Sequence, residues 1–193
     1  MLKEKNYDFR KRHWMYHKPD RRDPERVAAE NEVMLTADWK IGYAAGNPIA
    51  VIAANDFQEY LETSMGVSLP ITKTDGEKTL WLEVSDNVAE GFILTVEPDH
   101  IRITAASDKM TFRGTIHVED LMNLEEAPVL TKGEFIRRPM YLRRTVHSGT
   151  GLDVYPDQEL LGLLHAGYDT IDLFFEGIDK NHIGYCDFND IIE

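Results

Sequence analysis

Three stretches between residues 79 and 106 constrain the fold of this chain more than any other feature: "TLWLEV" (79–84), "GFILTVE" (91–97) and "HIRITAA" (100–106). Each has the length and residue types of a strand. The link Glu97-Pro98-Asp99-His100 is a tight connection, so the last two stretches are predicted to pair as an antiparallel hairpin. The flanking segments supply a cover for such a sheet. In "PIAVIAANDFQEYLETSMG", Ile49, Ile52, Ala53, Phe57, Tyr60 and Leu61 recur at helical spacing. Gly46-Asn47-Pro48 marks a turn, Pro48 suits the first helical turn, and Gly66 suits its C-terminal stop. Ser107 and Asp108 form an N-cap region for a second helix ending near Leu124. With a first strand within residues 32–43, the order is β-α-β-β-β-α. The expected fold is α+β, a mainly antiparallel sheet with two helices on one face.

Residues 131–138 read as a connector. A strand around 140–146 in "RRPMYLRRTVHSG", a helix from Pro156 through "ELLGLLHAG" closed by Gly167, and a strand in "DTIDLFFEG" follow. Together they predict a β-α-β unit with parallel strands.

Charge narrows the functional classes. The chain has 34 acidic and 21 basic residues, a formal net charge of −13, which argues against a body that grips a phosphate backbone. Lys3, Lys5, Arg10, Lys11, Arg12, Lys18, Arg21, Arg22 and Arg26 concentrate in the first 26 residues. This basic arm is expected to dock on its own acidic body, pinned by Trp14, Met15 and Tyr16. Cys186 is the lone cysteine, so no intrachain disulfide is possible. No apolar run approaches membrane-spanning length, and the first residues lack the apolar region of a secretory signal. The expectation is a cytoplasmic protein with neither nucleic acid nor membrane as partner.

The stretch "GFILTVEPDHIRITAASDKMTFRGTIHVEDLMNL" resembles the end of the small domain that precedes the barrel in family 20 glycoside hydrolases. That pattern is a Gly-aromatic-x-apolar-x-apolar strand, a second apolar strand, and a helix carrying Gly-x-x-x-apolar-x-x-Leu. Here the helix has Phe112, Arg113, Gly114, Thr115, Leu121 and Leu124. "RRPMYLRRTV" is similar to the approach to the first barrel strand, with Pro139, Tyr141 and Arg144 in the family's Pro, aromatic and Arg places. Thr145 stands where the family has Gly, which points to a less familiar relative sharing the same domain pair.

After the basic N-terminal arm (1–31), the resemblance implies an accessory α+β domain like hexosaminidase domain 2 (32–130), and a linker with the first β-α-β elements of an incomplete (β/α)₈ barrel (131–193). About fifty residues follow Pro139, against roughly 250 in a complete barrel. The chain therefore reads as the N-terminal, non-catalytic portion of a longer glycoside hydrolase acting on carbohydrate.

Family 20 enzymes let the substrate's 2-acetamido oxygen attack the anomeric carbon, while a Glu protonates the leaving oxygen and a neighbouring Asp orients the acetamide. The resemblance places that pair in later strands, so neither a catalytic residue nor a cofactor is expected here. Asp86, Asp99, Asp108, Glu119 and Asp120 read as surface or capping carboxylates. Arg144 matches the family's sugar-binding Arg, whose planar fork suits paired hydroxyls, and His147 follows with Ser148 at the strand end. These two, Arg144 and His147, are the expected substrate contacts; a salt bridge near the domain junction is the plainer role for Arg144. Glu176 and Asp179 would line the same face. The expected partner is carbohydrate, held by the complete parent enzyme, with self-association through exposed strand edges.

Two other readings stay open. "DKNHIGYCDFND" places Asp179, Asn181, Gly184, Asp187 and Asp190 at calcium-loop positions 1, 3, 6, 9 and 12. Ile183 removes the ligand at position 5, and a strand-to-helix loop capped by Asp187 is the alternative. A free-standing interaction module, binding through the basic arm or the C-terminal loop, is the second. His13 and His17 stand four apart, as metal-binding pairs on a helix do, but Trp14 occupies the place of a zincin Glu and no third ligand is evident. Aromatic anchoring, without a metal, is the expectation. Gly149-Thr150-Gly151 lacks the remaining residues of a phosphate loop.

Overall fold

The computed structural model describes residues 14–141, 143–148, 156–173, 182–183 and 186–187. The chain divides into two compact units, His17–Pro139 and a second made of Met1–Tyr16 with Met140–Glu193.

The larger unit contains β1 (Glu32–Met34), β2 (Lys40–Tyr43), α1 (Pro48–Met65), β3 (Ile71–Thr72), β4 (Thr79–Val84), β5 (Phe92–Glu97), β6 (His100–Ala105), α2 (Asp108–Glu125), β7 (Val129–Thr131) and β8 (Gly133–Arg137). Six strands form one sheet in the order β3-β2-β4-β6-β5-β8. The predicted hairpin is present, β5 pairing antiparallel with β6 from Phe92↔Ala105 to Glu97↔His100. The sheet as a whole is mixed, a correction to the mainly antiparallel expectation: β3, β2, β4 and β6 run parallel, and β5 runs opposite to both its neighbours, β6 and β8. The reason lies in the connections. The chain reaches β4 from β2 through α1, a crossover of the kind that parallel strands need. β6 then inserts between β4 and β5, so the hairpin leaves it parallel to β4.

The segment read as a connector is the second correction. Residues 133–137 form β8, the edge strand, antiparallel to β5. Just before it, β7 pairs with β1 in a separate two-stranded ladder. The exposure of β8 on both faces erased the alternation that would have marked it as a strand.

α1 begins and ends on the signals in its sequence, and α2 begins on one. Asn47 Oδ1 accepts from the Ala50 amide at 2.8 Å, Pro48 occupies the first turn, and Gly66 closes α1 at φ 65. Ser107 caps α2 through its contact with the Met110 amide. α1 packs along α2, and they lie against β2, β4, β5 and β6. Ile41, Leu80, Leu82, Leu94, Ile101 and Ile103 are fully buried in the sheet, as are Phe57 and Leu61 of α1. Each such side chain stabilises the unit by about 1.5–3 kcal/mol through burial. Two residues counted in the apolar patterns face water instead: Ile52 is 48% and Leu124 80% exposed.

Residues 21–26 dock on the C-terminal ends of the two helices. The Arg21 amide donates to Ser64 O, Arg22 Nη1 to Met65 O, and the Asp23 amide to Glu126 O. Arg26 bridges Glu32 and Glu125. Cationic side chains at helix C-termini meet the negative end of the helix dipole.

In the smaller unit, β9 (Thr145–Ser148), α3 (Asp157–His165) and β10 (Thr170–Leu173) form the predicted β-α-β, with the strands parallel and in register from Thr145↔Thr170 to Ser148↔Leu173. The first strand lies later than expected: Met140 and Tyr141 precede it and are 82% and 63% exposed. Trp14 Nε1 donates to Glu159 at 2.6 Å, and Tyr16 stacks on His165 with centroids 4.5 Å apart. Of the three expected anchors, Met15 is 51% exposed. β11 (His182–Ile183) and β12 (Cys186–Asp187) pair antiparallel. Asp187, read as a helix cap, is therefore a strand residue; Asp179, Asn181, Gly184 and Asp190 of the calcium-loop reading lie outside the described residues, as does Glu176. Among the described residues, no helix is long and apolar enough to cross a membrane.

Candidate functional site

The residues expected to touch sugar sit on β9 and its lead-in. Arg144 directly precedes the strand. Its amide donates to Asp169 Oδ1 at 3.0 Å, and its carbonyl accepts from the Asp169 and Thr170 amides. These bonds lock the backbone at Arg144 to the start of β10 and leave the side chain exposed. Gly167, at φ +95, makes room for it: a Cβ there would stand 2.9 Å from Arg144 Nη1. His147 lies three residues on, about 10 Å along an extended strand. It is in register with Asp172 of β10, Nδ1 3.3 Å from Oδ2, with both side chains more than half exposed. A carboxylate beside an imidazole orients the ring. The pair thus presents a donor and an acceptor on the second half of two parallel strands, the end where open α/β sheets place ligands. Sequence reasoning missed Asp172; only the strand register, which brings residue 172 beside 147, reveals it.

A second cluster lies in the larger unit. His17, from the stretch before β1, has Nε2 3.5 Å from Glu119 Oε2 on α2 and 3.8 Å from Asp56 Oδ2 on α1. The three side chains are at most 4% exposed. This corrects the reading of Glu119 as a surface carboxylate. The signal was available, because Glu119 follows buried Thr115 and Ile116 at helical spacing and precedes buried Met122. Asp56 similarly shares the buried face of Ala53 and Tyr60. Residues 14–19, which include His17, are not helical, and His13 lies outside the described residues. Tyr60 packs edge-on to the His17 ring at 5.6 Å. Its hydroxyl is shared between Glu119 O and Asn123 Oδ1, each at 3.1 Å. Burial, reinforced by Glu119 and Asp120, holds the Tyr60 phenol far above its ordinary range.

A third polar group covers the sheet face opposite the helices. Arg102 bridges Asp75 at 2.8 Å and Glu83 at 3.2 Å, His100 meets Asp75 at 2.6 Å, and Trp81 Nε1 donates to Glu83. Partial burial alone would raise the Asp75 carboxyl, but the His100 hydrogen bond and the charges of His100 and Arg102 outweigh it and hold it below the usual carboxylate range.

Residues 23–134 match the family described as Glycosyl hydrolase family 20, domain 2. That span is more than half of the 193 residues. The chain belongs to this family.

None of the curated proteins matches the chain. Among solved structures, the fold is similar to the GH20 β-N-acetylhexosaminidase from Streptomyces coelicolor A3(2), with TM-score 0.61, 18% identity, and coverage of 81% of this chain and 35% of that one. A mutant Streptomyces plicatus β-hexosaminidase gives TM-score 0.60 at 17% identity, covering 83% and 36%. The GH20 exo-β-N-acetylglucosaminidase from Vibrio harveyi gives 0.53 at 15%, covering 80% and 26%. The chain thus spans about a third of the length of these structures or less. Its family 20 domain 2 contains the polar sheet face and, from the buried cluster, Asp56 and Glu119. Arg144, His147 and Asp172 lie beyond it.

Proposed function

We propose that this chain is the non-catalytic N-terminal portion of a glycoside hydrolase that cleaves N-acetylhexosamine-containing carbohydrate: an accessory domain 2 followed by the first β-α-β of a (β/α)₈ barrel. The observation that carries the reading is sequential. A family 20 domain 2 ends at residue 134 and, eleven positions later, a parallel β-α-β unit begins. The reach of the structural similarity supports it further. Coverage of 81% of 193 residues is about 156, more than the 139 that end with the larger unit, so the match with a β-N-acetylhexosaminidase continues into the smaller one.

In this reading the catalytic carboxylates belong to later strands, since barrel chemistry gathers at the C-terminal ends of several strands. Arg144 and His147 contact sugar, Arg144 by its fork of donors and His147 as one half of the Asp172 pair. The test takes the native polypeptide carrying this segment and assays it on a chromogenic N-acetyl-β-glucosaminide. The expected result is a longer chain with hydrolytic activity, in which Arg144→Ala raises KM about tenfold or more, the loss of one charge-assisted hydrogen bond. A native product of 193 residues that binds no N-acetylglucosamine would overturn the reading.

A further inference from the structure

We propose that His17, Asp56 and Glu119 form a structural site for a divalent transition cation, with zinc as its best occupant, that fastens the segment before β1 across the α1–α2 pair. The proposal stands independently of the glycosidase reading.

The spacing is the first argument. Ligand atoms 2.0–2.2 Å from a tetrahedral zinc lie about 3.4 Å from one another. His17 Nε2 is 3.5 Å from Glu119 Oε2 and 3.8 Å from Asp56 Oδ2, and the ligand atoms of the three residues all fall within 4.8 Å of one another. Contraction by a few tenths of an ångström onto a common ion brings the two His17 distances to that spacing, and the two carboxylates lie within 4.8 Å of each other.

The donor set and its burial are the second. One imidazole nitrogen and two carboxylate oxygens suit zinc, whereas calcium and magnesium prefer oxygen ligands throughout. Carboxylates nearly sealed from water are found paired with other groups or coordinating a metal. A divalent cation neutralises both charges at once. The third argument is support around the ligands. The Tyr60 ring packs edge-on to His17, while the Tyr60 hydroxyl ties to the Glu119 carbonyl, so one residue steadies two of the three donors. Such outer contacts orient metal ligands. The ligands come from three separate segments, so binding would join elements distant in sequence.

The test uses the full chain, stripped with a chelator and dialysed. Zinc is titrated by calorimetry and followed by thermal unfolding, with cobalt(II) as a spectroscopic substitute and calcium as a control. Expected are one equivalent of zinc bound at micromolar Kd or tighter, a rise in Tm on loading, and the intense visible bands of tetrahedral cobalt. Asp56→Asn and Glu119→Gln, which keep side-chain size, should each weaken zinc binding on the order of 100-fold. The proposal falls if the wild-type chain takes up no stoichiometric zinc, if calcium binds in its place, or if both variants bind zinc as the wild type does. The wild-type titration decides the matter even if a variant fails to fold.

Discussion

Gly114 of α2 lies so close to Ile103 of β6 that a Cβ at position 114 would stand 2.4 Å from Ile103 Cγ2. The helix approaches the sheet at a distance that only a missing side chain permits. Gly114→Ala should therefore destabilise the chain by about 1–3 kcal/mol, the overpacking penalty outweighing the better helix propensity of alanine. Urea denaturation measures this. Adding Ile103→Val should not rescue the variant, because valine keeps the Cγ2 methyl. Full rescue by that change would show that the clash lies elsewhere.

Gly91 carries a different demand. Its φ is +73, and a Cβ would meet the carbonyl oxygen of Arg137 at 1.9 Å. A backbone atom cannot rotate away, so Gly91→Ala has to strain its own backbone or push β8 off β5. A loss of at least about 2 kcal/mol is expected. Amide exchange at Ile136 and Arg137 should accelerate more than at Ile101 and Ile103. Uniform acceleration across the sheet would contradict the local mechanism.

Asp75 predicts a pH dependence. Its carboxyl is held below the usual range in the folded chain, so the stabilisation is present above the unfolded value near 3.9 and fades as pH falls through the folded one. The pair is partly exposed, and Asp75→Asn should cost about 0.5 kcal/mol at pH 7. The two stability curves should converge below about pH 4. A gap that persists at lower pH would assign the effect to packing.

Tyr60 works in the opposite sense. Its phenol is held above the ordinary value, so its contribution is complete below about pH 10 and declines above it. Tyr60→Phe should cost about 1 kcal/mol at neutral pH through the lost hydrogen bonding. The same variant should resist alkaline unfolding better than the wild type. Absorbance at the tyrosinate band, followed against pH, separates the two effects.

The legible parts of the fold were those in which one local signal did the work. Asn47-Pro48 and Gly66 bounded α1, Ser107 began α2, and Pro98-Asp99 turned β5 into β6. Strand direction was less legible, because the insertion of β6 between β4 and β5 is a choice among tertiary pairings that no short stretch encodes. β8 was missed for a related reason: an edge strand exposed on both faces shows no period. The same limit applied to the candidate sites. His147 was visible as a polar residue at a strand end, while Asp172 became its neighbour only through register. His17 attracted notice for its spacing from His13, while its neighbours Asp56 and Glu119 lie on two helices far along the chain.

The β1–β7 ladder has a consequence for how the larger unit can be handled by evolution or by an engineer. Glu32 faces Thr131, so the two flanks of the fold emerge side by side. Joining them with a short bridge and opening the chain at the exposed Asp86-Asn87 turn would give a circular permutant that keeps the β1–β7 ladder and the pairings from β3 to β5, and gives up only the edge strand β8, which follows β7. The same adjacency would let the unit sit as a removable insert within a host polypeptide, its ends meeting the host at a single seam.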